Sequence, residues 1–177
     1  MKLNLGCGNN KIKDFVNVDT ESSLKPDILA DFLQPLPFKD ETASEVCLFH
    51  TIEHIPEYYH SFVLNEVWRV LKLGGVFYIS YPEFTLCAQN YIDNFQGKRE
   101  FWKKTIYGRQ LYKTDAHVAL MNTEEFQLLL HQIGFTDIQC RAEMDEPYNT
   151  VVKAVKDLKS YVNQETYNKL WYAQNKA

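Results

Sequence analysis

Leu3-Asn4-Leu5-Gly6-Cys7-Gly8 and, shortly after it, Phe15-Val16-Asn17-Val18-Asp19 are the stretch whose reading decides the fold. Each holds an apolar run of strand length; the first ends on glycines and the second on a carboxylate. A glycine turn leaving a strand lets backbone N–H groups approach a ligand, and an acid closing the neighbouring strand can hold a ribose. The pair reads as the floor of a nucleoside-type cofactor site. An ordinary tight turn also carries Gly-x-Gly, so the rest of the chain has to decide between the two.

Working outward, short apolar runs at residues 2–5, 15–18, 27–30, 45–49 and 76–81 alternate with helical patterns, as in a mostly parallel sheet covered by helices. Between the last two runs Phe62, Val63, Val67, Val70 and Leu71 recur at helical spacing, and Gly74-Gly75 are expected to stop that helix. Asn122 with Glu125 has the form of a capping box, Phe126, Leu129, Leu130 and Ile133 make one face, and Gly134 ends the helix. Residues 136–142 and 150–155 follow as a closing hairpin, and residues 157–172 as a polar terminal helix. Only about ten residues separate the first two strands, near the minimum for a parallel crossover, so the helix there must be short or a single turn. The fold class expected is α/β: a Rossmann-like, mostly parallel sheet with helices on both faces, a closing antiparallel hairpin, a shortened first crossover and no N-terminal cap.

With 177 residues, 45% of them hydrophobic and 24% charged, the chain can bury one good core, so residues 1–177 are expected to form a single domain. A net charge of -4 gives no general reason to bind phosphate backbones, despite the local cluster Lys98, Arg99, Lys103 and Lys104, so nucleic acid is not an expected partner. Cys7, Cys47, Cys87 and Cys140 form neither a Cys-x-x-Cys pair nor a disulfide framework and fit a reducing cytosol. Neither a targeting segment nor a run of membrane-spanning length is visible, and a soluble cytoplasmic protein is expected.

In this order the motifs resemble those of the class I methyltransferases that use S-adenosylmethionine, and within them the small methyltransferases whose acceptors are mostly unassigned. The resemblance spans roughly residues 2–156. Leu5-Gly6-Cys7-Gly8 is similar to the turn that receives the methionine part of the cofactor, Asp19 to the acid that takes the ribose hydroxyls, and Asp31-Phe32 to the pair beside the adenine. Leu36-Pro37-Phe38-Lys39-Asp40-Glu41 and His50-Thr51-Ile52-Glu53-His54-Ile55 resemble the signature flanking strand four, and residues 66–75 the helix and turn before strand five. The resemblance implies S-adenosylmethionine as cofactor, bound by Asn4, Gly6, Cys7, Gly8, Asp19, Asp31, Phe32 and His50. Two departures stand out: Asn4 replaces the acid that often precedes the glycines, and Asn10 the frequent third glycine.

Residues 83–118 form the one long insertion and leave from the ligand edge of the sheet. They carry Phe84, Tyr91, Phe95, Phe101, Trp102, Tyr107 and Tyr112, more aromatic surface than a solvated loop needs. Most of these rings are expected to pack an extra helix, the insertion to act as an acceptor lid, and Tyr107, Tyr112 and His117 to touch substrate. With nothing preceding the first strand, the pocket must be closed by this insertion, by a homodimer or by a partner chain. Methyl transfer is an in-line displacement that alignment alone can accelerate; a hydroxyl acceptor also needs a base, for which His50 and His117 are the candidates. Glu53 and His54 read as local structure. His50-Thr51-Ile52-Glu53-His54 lacks the order of a zinc peptidase helix, and no metal is expected. The leading expectation is a methyltransferase acting on a small-molecule or glycan acceptor. The alternatives are a non-catalytic cofactor-binding partner of a second chain and a nicotinamide-dependent oxidoreductase, the latter disfavoured because Lys11 breaks Gly-x-Gly-x-x-Gly.

Overall fold

The computed structural model describes residues 1–111 and 113–157. Its strands are β1 (Lys2–Leu5), β2 (Val16–Asp19), β3 (Ile28–Leu29), β4 (Ala43–Phe49), β5 (Leu71–Pro82), β6 (Thr136–Ala142) and β7 (Asn149–Val155). The helices are α1 (His60–Val70), α2 (Phe84–Ile92), α3 (Arg99–Tyr107) and α4 (Thr123–Ile133). One sheet holds all seven strands in the order β3-β2-β1-β4-β5-β7-β6, the first five parallel and β7 antiparallel to both its neighbours. β1 pairs with β2 on one side and β4 on the other, so the strand order reverses beside it, where open α/β sheets bind ligands. The terminal helix expected over residues 157–172 lies, beyond Asp157, outside the described residues, as does Tyr112.

Alternation along the strands places Leu3 and Leu5, Val46 and Leu48, and Phe77, Ile79 and Tyr81 in a buried core with Val63, Leu64 and Val67 of α1 and Phe126, Leu130 and Ile133 of α4. Phe135 stacks on Phe77 at 5.5 Å between ring centroids, and Phe126 meets Tyr81 edge-on at 5.1 Å. Burying each such side chain contributes about 1.5–3 kcal/mol.

α4 begins and ends where the sequence indicates. The Asn122 side-chain oxygen accepts from the Glu124 and Glu125 N–H groups, and Gly134 closes the helix at φ +114°. α1 behaves differently. It stops at Val70, and Leu71 is already extended and paired with Ala43, four residues before the second of the two expected stop glycines. The reason is tertiary: the Glu41 and Thr42 N–H groups bond to the Arg69 and Val70 carbonyls, taking up the orphan acceptors of the helix end. Arg69 fastens the same region, pairing with both Glu66 oxygens at 2.7 Å and donating to the Leu36 and Phe38 carbonyls and to Asp40. The two signature stretches around residues 36–41 and 66–75 are thus halves of one clamp.

No helix spans the β1–β2 crossover. Asn17 holds it instead: its side-chain oxygen accepts from Asn4 Nδ2 at 2.9 Å and Ile12 N–H at 2.8 Å, and its Nδ2 donates to the Ile12 and Phe15 carbonyls and to Asp27. Among the described residues no helix is long and apolar enough to cross a membrane.

Candidate active site

The carboxyl ends of β1, β4 and β5 open into a cleft of about 540 Å³, a volume suited to a small ligand. Gly6 and Cys7 form its floor, Phe49, His50 and Ser80 its middle, and Glu143, Met144 and Asp145 of the β6–β7 turn its far wall. Asn149 holds that wall, donating to Glu143 at 2.8 Å and Glu146 at 2.9 Å.

The two glycines of the turn have different tasks. Both have left-handed backbones, φ +67° at Gly6 and +51° at Gly8. A Cβ on Gly6 would stand 2.1 Å from the Thr51 hydroxyl, whereas one on Gly8 would meet nothing within 4 Å. Gly6 is therefore a packing position against the β4 exit, and Gly8 leaves open space above the turn. The Gly8 N–H donates to one oxygen of buried Asp19 at 2.8 Å, and the Glu21 N–H donates to the other at 3.0 Å. Each carboxylate oxygen keeps a second lone pair for a ligand hydroxyl. Asn4 lines the cleft, but its amide nitrogen is committed to Asn17 and to the Asn10 carbonyl.

His50 sits at the hinge of the site. Its backbone is left-handed, φ +47°, and its N–H is held by the Ser80 carbonyl at 2.9 Å. The half-exposed imidazole stands with Nδ1 3.4 Å from Glu53 and Nε2 3.8 Å from Glu143. Burial works against its charge, but the hydrogen bond and charge of Glu53, with Glu143 and Glu146 beyond, outweigh it and raise the pKa above the ordinary value.

Glu53 is 1% exposed, and its second oxygen, Oε2, has no hydrogen-bond partner. Its backbone carbonyl accepts from Val118 N–H at 2.8 Å and Ala119 N–H at 3.2 Å, bringing the end of the insertion back to β4. His54 Nδ1 bonds to the Ala116 carbonyl at 3.0 Å, and the His54 and His117 rings meet edge-on at 4.9 Å. Burial lowers the His117 pKa.

Asn4, Gly6, Cys7 and His50 are thus brought to one cleft, with Gly8 and Asp19 bonded together beside it. Asp31 lies exposed beyond β3, its carboxylate accepting from Leu33 N–H, and the Phe32 ring is buried in the core; neither lines the cleft. Tyr107 is exposed, its carbonyl taken by the His117 N–H, and His117 faces Glu53 from behind. Residues 83–118 supply none of the described lining of the cleft. Phe101 and Trp102 instead pack edge-on against Tyr148 at 5.6 and 5.2 Å, bracing the turn that forms the far wall. Sequence reasoning missed Ser80, Glu143 and Asp145, whose only signal was membership of strand five and the closing hairpin.

A doubly wound sheet with a glycine turn and a strand-two acid at its switch point is the arrangement in which open α/β sheets hold nucleoside cofactors. Comparison with known proteins narrows the class. A methyltransferase-domain family model matches residues 9–79. A SAM-dependent methyltransferase from Thermotoga maritima superposes with a TM-score of 0.62 at 18% identity, over 88% of this chain and 82% of that one. One from Archaeoglobus fulgidus gives 0.64 at 15% identity over 88% and 85%, and one from Methanosarcina mazei 0.61 at 18% over 89% and 92%. No curated protein matches the chain in sequence. The chain shares the fold of these S-adenosylmethionine-dependent methyltransferases, and its first half matches a methyltransferase-domain model; together they support an enzyme that uses S-adenosylmethionine as cofactor.

Proposed function

We propose that the chain methylates a small-molecule or glycan acceptor bound in the outer half of the cleft, with His50 as the group that accepts the acceptor's proton. The observation that carries this reading is that the glycine turn and His50 face one continuous space of about 540 Å³. The open space above Gly8 fits the cofactor: the backbone of Gly6, Cys7 and Gly8 would hold its amino-acid part, and Asp19 its ribose hydroxyls. Asp31 stands past the end of β3, the strand paired with β2, and would meet the adenine only where the cofactor runs beyond the described lining of the cleft. When bound, S-adenosylmethionine supplies an electrophilic methyl carbon on a sulfonium.

The chain's own residues do the rest. The β6–β7 turn, braced by Asn149 and by the Phe101–Trp102–Tyr148 cluster, shields the cleft and orients the acceptor. Orientation of this kind supplies up to about 7–11 kcal/mol in favourable cases. Glu53, behind His50, positions the imidazole by its Nδ1 contact, leaving Nε2 toward Glu143 and the cleft. A base so placed contributes about 10²- to 10⁴-fold. The described lining of the cleft comes from this chain, and the test below is run on the chain alone. A Haloferax volcanii methyltransferase of the same fold was solved with the Trm112 activator, at 14% identity and a TM-score of 0.59, so a required activator is a defined outcome of the test.

The test is methyl transfer by the isolated chain to a panel of hydroxyl, amine and glycan acceptors, beside calorimetry with S-adenosylhomocysteine. His50→Ala is expected to lower kcat about 10²-fold or more while product affinity stays within about 3-fold. Equal losses in both would make His50 a cofactor ligand, and unchanged kcat would leave alignment as the whole mechanism.

A further inference from the structure

Behind His50, on the far side of Glu53 from the cleft, the carboxylate of Glu53 and the imidazoles of His54 and His117 each offer one ligand atom, all within 4.8 Å of one another. We propose that these three residues form a divalent transition-metal site, zinc by its donor set, which pins the end of the 83–118 insertion to the exit of β4.

The first argument is the unmet carboxylate. Glu53 is 1% exposed and its Oε2 has no hydrogen-bond partner. Among the described residues its ion-pair contact is His50, made by the other oxygen, Oε1. A buried carboxylate oxygen of this kind requires a cation or a proton donor to be stable. The His54 and His117 imidazoles, whose ligand atoms lie within 4.8 Å of the Glu53 carboxylate, can meet it as imidazolium or by sharing a metal.

The second argument is orientation. Metal-binding imidazoles donate their other N–H to a carbonyl or carboxylate, which sets the tautomer and aims the lone pair. His54 does this, with Nδ1 on the Ala116 carbonyl at 3.0 Å, leaving Nε2 as the ligating nitrogen.

The scaffold is built around the set before any ion arrives. His60 Nε2 reaches the Ile52 and Ile55 carbonyls at 3.1 and 2.9 Å, clamping the short turn that presents Glu53 and His54. His117 is placed by its own N–H on the Tyr107 carbonyl and by the Val118 and Ala119 N–H groups on the Glu53 carbonyl. Gly108, at φ +78°, lets the chain pass so close that a Cβ there would lie 2.1 Å from the Asp115 carbonyl oxygen. A cavity of about 10 Å³, lined by Glu53 and His117, has room for a single water as a fourth ligand. Tetrahedral zinc with bonds of about 2.0–2.2 Å holds its donors roughly 3.4 Å apart, so the three ligand atoms, now within 4.8 Å, would draw together on binding. Two imidazoles, a carboxylate and a water suit Zn²⁺ and its spectroscopic substitute Co²⁺.

The experiment uses the full chain with any affinity tag removed, stripped with chelator and titrated with Zn²⁺ by calorimetry and with Co²⁺ by visible absorption. The expected result is one Zn²⁺ per chain, a raised Tm, and Co²⁺ bands of a low-coordinate nitrogen and oxygen site. Glu53→Gln and His117→Gln should each weaken Zn²⁺ binding about 100-fold or more, with S-adenosylhomocysteine affinity within about 3-fold as the sign that the fold is kept. If either variant loses the product as well, His54→Gln takes its place under the same criterion. The proposal is overturned if the wild-type chain binds Zn²⁺ no tighter than about 10 μM. It is equally overturned if folded variants bind as the wild type does, or if the Co²⁺ spectrum carries thiolate charge-transfer bands that place the ion on a cysteine.

Discussion

The cleft above the glycine turn and the histidine cluster beneath the insertion meet where Glu53 of the cluster touches His50 of the cleft, and they are made in opposite ways. The cleft is largely a product of backbone: glycines at positive φ, strand ends and a hairpin turn enclose about 540 Å³. The cluster is a product of side chains converging on about 10 Å³ from a short turn after β4 and from the far end of a long insertion. A backbone-built site can be recognised from a few consecutive residues. A side-chain-built site exists only after the chain has folded back on itself.

The largest expected effect removes both regions at once. Gly6→Val places a branched side chain where Thr51 already stands at 2.1 Å, on a left-handed backbone. It should destabilise the protein by about 4 kcal/mol or more, a loss in Tm on the order of 10 °C, read by thermal denaturation. Gly8→Val, two residues on, should separate the regions. Its side chain enters open space, so the fold should survive at a strain of about 1–3 kcal/mol. Calorimetry should find S-adenosylhomocysteine affinity about 100-fold weaker, near 2.7 kcal/mol. Normal binding by this variant would reduce Gly8 to a turn residue and break the comparison on the cleft side.

Gly108→Ala makes the converse cut. With φ +78° and ψ 164° and the Asp115 carbonyl 2.1 Å from the new Cβ, the return of the insertion must shift. A loss of about 2 kcal/mol is expected in denaturant unfolding, with product affinity unchanged within about 3-fold and Zn²⁺ binding weakened. If product affinity fell in step, the two regions would be one. The smallest effect belongs to Tyr107→Ala. The residue is 59% exposed and lines neither cavity, so stability should change by less than about 0.5 kcal/mol. The acceptor's KM should also stay put; a several-fold rise would show that the acceptor reaches the insertion after all.

Much of the frame was legible residue by residue. Asn122 and Gly134 bracket α4 because caps are local chemistry, and the apolar runs mark strands because a half-buried strand needs alternation. Gly74-Gly75 misled because the end of α1 is decided by the N–H groups of Glu41 and Thr42, distant in sequence. Phe32 turned into the core while Asp31 stayed exposed in the turn beyond β3, its carboxylate accepting from the Leu33 N–H. The aromatic insertion packs its Phe101 and Trp102 on Tyr148 rather than lining the cleft, a choice of partner that composition does not contain.

By itself the sequence determined the fold class, the glycine turn and the acid at the end of β2, because each rests on short-range backbone chemistry that a few adjacent residues encode. Only the tertiary structure decided what faces His50, which oxygen of Glu53 is left unmet, and that His117 joins His54 behind it. Those relations depend on where the 83–118 insertion returns, and that return is set by the Val118 and Ala119 N–H groups meeting the Glu53 carbonyl across more than sixty residues of chain.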